Sequence, residues 1–136
     1  MTVVGFHFAS VNAEKKEPIK GKVNINNNVA IKKVDEKELA LGDGKHKALN
    51  FSFEFTSNYE PKIGGITLLG EIMFMEDSKK VKDILAGWKK NQSLPKDVAG
   101  RILNTVLNKC NVQALILADQ VGLPPPIPLP KVKADN

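Results

Sequence analysis

The sequence predicts an α+β domain: a four-stranded antiparallel sheet followed by a short and a long helix packed on one of its faces. Two observations carry that expectation. Apolar and polar residues alternate with period two in four segments ahead of Asp77, and beyond it the apolar spacing lengthens to that of a helix. A length of 136 residues suits one domain, and a folded chain of this size buries about two-thirds of its surface. The domain is expected over residues 1–122, with residues 123–136 as a proline-rich, extended C-terminal tail.

In the first strand Val4, Phe6 and Phe8 alternate with Gly5, His7 and Ala9, and a polar stretch from Asn12 to Lys20 interrupts the pattern. From Gly21 to Val34 the residues Val23, Ile25, Asn27, Val29 and Ile31 alternate with lysines and asparagines. That pattern gives a strand one greasy and one wet face. Leu41 to Lys45, with Gly42 and Gly44, reads as a loop. From His46 to Tyr59, Leu49, Phe51, Phe53 and Phe55 project from one face. The fourth strand, Gly65 to Glu76, differs in kind. Ile66, Leu68, Ile72 and Phe74 line one side, while Leu69, Met73 and Met75 make much of the other side apolar as well.

Asp77 or Ser78 can cap a short helix carrying Val81, Ile84, Leu85 and Trp88. Pro95 suits the head of a long helix to Val121, whose stripe runs through Val98, Ile102, Val106, Cys110, Ala114 and Leu117. Gly122 terminates it. In the tail, Pro124 to Pro130 must be extended. Leu123, Ile127 and Leu129 favour a strap packed on its own domain over a ligand for an SH3-type groove.

Chemistry leaves little trace. Cys110 sits in an apolar helical stripe, the setting of an inert thiol, and one cysteine forms neither an internal disulfide nor a thiolate zinc cluster. His7 and His46 are isolated, so no metal site is expected, and no phosphate-binding glycine loop or other cofactor motif occurs. The acids fall in solvated runs, so a non-enzymatic protein is expected. The formal charge of +5 raises nucleic acid as a partner. However, nineteen of the twenty cations are lysine, only Arg101 carries a guanidinium, and most lysine pairs adjoin acids. A solvated surface accounts for them better. No membrane span and no secretory signal are read, which points to the cytoplasm.

Taken in order, a phenylalanine-bearing first strand, three longer strands, a short helix, a proline-headed long helix and the exit Gly122-Leu123-Pro124 … Leu129-Pro130 resemble the SecB family of protein-export chaperones, archaeal SecB-like proteins in particular. The resemblance implies a homotetramer built as a dimer of dimers. It also implies ATP-independent holding of unfolded or precursor polypeptides in hydrophobic grooves, with no cofactor. The bacterial export chaperones are acidic where they dock the SecA motor, and they carry a metal-assisted C-terminal contact. This chain is basic and ends Lys131-Val132-Lys133-Ala134-Asp135-Asn136, so the resemblance does not extend to that motor. Candidate client-binding residues are Phe51, Phe53, Phe55, Leu69, Met73, Met75 and Trp88, and the phenylalanines and Trp88 also read as core. The alternatives are a nucleic-acid-binding module with a lysine-rich surface, and a structural or adaptor protein whose Leu69/Met73/Met75 face is filled by a fixed partner.

Overall fold

The alternation seen in the sequence builds four long strands, and the computed structural model describes residues 2–42, 44–130 and 132. Strands β1 (Thr2–Lys15), β2 (Asn24–Leu41), β3 (Gly44–Glu60) and β4 (Gly64–Met75) precede helices α1 (Ser78–Asn91) and α2 (Lys96–Val121). All strand pairs are antiparallel, in the order β1-β4-β3-β2. Two hairpins join β2, β3 and β4, while a long connection carries the chain from β1 at one edge to β2 at the other, a Greek-key order. That connection is pinned at the β3–β4 turn, where the amides of Lys16 and Glu17 both donate to the Ile63 carbonyl, at 2.7 and 3.2 Å.

Three expected boundaries are corrected. The first strand does not stop before Asn12: Asn12 to Lys15 pair with Gly64 to Thr67, and Ala13 packs against the core. Their polar side chains do not weaken the ladder, which is made by backbone groups. The second strand starts at Asn24 rather than Gly21, and it continues past Val34 because Asp35 to Leu41 pair with Gly44 to Asn50. The expected loop at Leu41 to Lys45 is therefore a tight hairpin in which Leu41 already pairs with Gly44, and Asp43 lies outside the described residues. Three irregularities offset the pairing, between Val3 and Gly5, between Phe8 and Ser10, and between Ile31 and Lys33.

Of the two candidate caps, Asp77 is the one used: its carboxylate accepts from the Lys80 amide at 2.9 Å. The helix closes on Lys89 and Lys90, which suit the negative end of its dipole, and Gln92 takes a left-handed conformation as the C-cap. Pro95 is the N-cap of α2 rather than its first residue. At 26 residues α2 is about 39 Å long. Gly122, with φ 76°, ends it in the conformation that glycine adopts without strain.

Both helices cover one face of the sheet, α1 over β2 and β3, α2 mainly over β4 and β1. Between the layers lie Leu49, Phe51, Phe53, Phe55 and Tyr59 from β3 and Ile66, Leu68, Ile72 and Phe74 from β4. Above them sit Val81 and Ile84 of α1 and Val98, Ile102, Val106, Cys110, Ala114 and Ala118 of α2. Gly70 serves this packing, since a β-carbon there would lie 2.6 Å from the Phe53 ring and 2.5 Å from the His7 carbonyl oxygen. No helix among the described residues is long and apolar enough to cross a membrane.

Candidate functional site

The phenylalanine ladder leaves the set of surface candidates. Phe51, Phe53 and Phe55 are all buried under the helices by the chain itself. Phe53 stacks on Phe6 with ring centres 5.4 Å apart, and Phe51 meets Phe74 edge-on at 5.9 Å. Trp88 lies half-buried on α1 and packs on the same core.

Leu69, Met73 and Met75 do share the opposite face of β4, away from both helices. Met73 lies opposite Gly5 and Asn50, and Met75 opposite Thr2 and Ala48, so these two methionines form one soft apolar corner. Leu69, 36% exposed, stands apart from them by about 13 Å of strand. Between them runs a charged row in which His7 Nε2 approaches Glu71 at 3.7 Å. The sheet itself separates this face from Trp88, so the candidates named from sequence form no single site.

A second apolar region is the strap. Residues 123–130 leave α2 and cross the end of the core, with Leu123 and Pro126 buried. The Tyr59 hydroxyl donates to the Pro124 carbonyl at 2.5 Å, and Asn27 Nδ2 donates to the Pro126 carbonyl at 2.8 Å. Asn27 is itself oriented by the Ser57 hydroxyl, which donates to its Oδ1. Burial pushes the Tyr59 phenol up to about 12, partly offset by its contact with Ser57, so the hydroxyl stays a donor at neutral pH. Beside the strap runs an open groove of about 620 Å³ lined by Val23, Ile25 and Pro124 to Pro130. Sequence reasoning placed the strap but missed its seat. The one signal was Asn27, a lone amide in the otherwise apolar row Val23, Ile25, Val29, Ile31.

A third region was also missed. Val3, Val4 and Val11 are exposed on β1, an edge strand with no Lys, Arg, Asp or Glu before Glu14. Lys109 reaches over the Phe6 ring, 5.9 Å from its centre, which sets that side of α2 above β1. Val112 and Ile116 follow Lys109 on the same helical stripe and are 60% and 47% exposed. The other edge, β2, carries Lys32, Lys33, Asp35, Glu36, Lys37 and Glu38.

The Cys110 thiol is buried, and burial pushes its pKa up to about 12, which keeps it protonated and unreactive. Among the described residues no three His, Cys, Asp or Glu side chains gather to hold a metal ion. Several lysines lie beside acids: Lys16 at 3.3 Å from Glu14, Lys33 at 3.4 Å from Asp35, Lys47 at 3.0 Å from Glu36. The chain matches no protein-family model, no curated protein and no solved structure.

Proposed function

We propose that this chain is a SecB-like, ATP-independent holdase of the cytoplasm that binds unfolded or precursor polypeptides and works as a homo-oligomer without enzymatic chemistry. The observation that carries the reading is the groove beside the strap. It is open, mostly apolar and walled by Val23, Ile25 and a run of prolines, a surface on which polypeptide can lie. The Met73/Met75 corner adds adaptable apolar surface on the other side of the sheet.

Assembly belongs to the same reading. A long edge strand with no Lys, Arg, Asp or Glu before Glu14, flanked by exposed Val112 and Ile116, is a liability that a second copy of the chain removes by pairing β1 with β1. The charges along β2 guard the other edge. Replacing Val23 and Ile25 together by glutamate tests the groove. The expected outcome is loss of protection of an aggregating client with particle mass unchanged. Full protection by that variant contradicts the groove reading. Nucleic-acid binding, the alternative carried by the lysines, requires affinity that falls steeply with salt.

A further inference from the structure

Among the described residues, each of the two hydrogen bonds from the sheet to the strap runs from a side-chain donor, Tyr59 or Asn27, to a backbone carbonyl, at Pro124 and Pro126. Such bonds read the backbone of an extended chain and take no account of its side chains. Prolines present those carbonyls without amide donors that would need partners in return. The apolar contacts are equally general. Leu123 and Pro126 are buried three residues apart; the strap, expected to be extended throughout, bends at Pro126 and Ile127, and Leu129 beyond the bend is 47% exposed. Open space flanks the strap on both sides: the groove toward Val23 and Ile25, and a second hollow of about 240 Å³ bounded by Leu115, Ala118 and Leu129.

We infer that the seat formed by Tyr59 and Asn27 is a receptor for extended, proline- and leucine-rich polypeptide, and that residues 123–130 are its built-in occupant, displaced when an incoming chain of the same kind binds. The inference rests on the polypeptide-binding reading and refines it: the incoming chain takes the strap's place beside Val23 and Ile25, so the resting groove is the way in rather than the final seat, and the seat selects backbone carbonyls of a proline-rich chain with two apolar residues three apart. The resting strap then covers the apolar floor until a client competes for it. Gly122 is the natural pivot, since it already takes a left-handed backbone between the helix and the strap.

The test uses the full chain and a fluorescent octapeptide with the sequence of residues 123–130, read by anisotropy. Pro124→Gly with Pro126→Gly loosens the resident strap by raising its freedom when unbound and removing the buried ring. That variant is expected to bind the octapeptide at least about threefold more tightly than the parent chain. Added to that proline variant, whose strap no longer competes, Tyr59→Phe and, separately, Asn27→Ala are expected to weaken binding of the octapeptide, and the second guards against a folding defect in the first. Equal affinity for the parent and the proline variant, or no binding by either, overturns the inference. An aggregation assay on the same samples separates the two levels: protection without octapeptide binding removes the seat and leaves the holdase, while octapeptide binding without protection does the reverse.

Discussion

Gly70 shows how a single residue decides the packing of this sheet. Phe53 lies across it, and a β-carbon at position 70 would meet both the ring and the His7 carbonyl on the neighbouring strand. Gly70→Ala is therefore expected to destabilise the fold by about 1–3 kcal/mol, measured as a lower urea midpoint with unchanged slope. A variant as stable as the parent would show that Phe53 can move aside freely. Two buried acids set a pH dependence. Burial raises Cys110 from about 9 to about 12 and Tyr59 from about 10 to about 12. Each is held neutral in the folded state, so its stabilising effect is complete below the unfolded value. It is lost as pH rises, because the unfolded chain gives up the proton first. Urea midpoints are thus expected to fall between pH 9 and 12, and less steeply in Cys110→Ala. An identical fall in that variant would remove Cys110 from the account. Of these features the buried thiol was legible in the sequence from its helical stripe. The Gly70 contact was not, because it depends on which ring lies across the next strand.

Strand and helix identities could be read from periodicity, and the errors lay where periodicity says nothing. Asn12 to Lys15 look like loop by composition, yet they continue β1 because the backbone of Gly64 to Thr67 is available to pair with them. The charged run from Asp35 to Glu38 hides the far half of β2 in the same way: an edge strand tolerates charges that a central strand would not. Pairing across edges is a property of the sheet rather than of any strand, so the contrast between β1 and β2 became visible only with the strand order. It yields a direct expectation. Val4→Lys with Val11→Lys places two charges along β1 without touching a fully buried position, and is expected to halve or quarter the particle mass measured by light scattering on a sizing column. An oligomer of unchanged mass would mean that copies meet through some other surface.

For the whole molecule, the sequence conveyed the layers but not which apolar residues remain outside them. Phe51, Phe53 and Phe55 carried the strongest pattern and proved to be the floor of the core, since the same alternation that marks a binding platform marks a sheet covered by helices. The groove escaped notice because its two walls, Val23 with Ile25 and the strap, are a hundred residues apart in sequence. Among the described residues, apolar surface is gathered in the groove, the β1/α2 band and the Met73/Met75 corner, around a core buried by the chain itself. If the band joins copies and the groove admits clients, as proposed, protection and assembly respond to different substitutions. The most direct measurement is light scattering from an unfolded client that aggregates on dilution, with this chain added at increasing ratio and its own particle mass determined on the same material. The expected result is scattering suppressed near one oligomer per client, without ATP, by a particle larger than one chain. Scattering that rises unchanged at every ratio would contradict it.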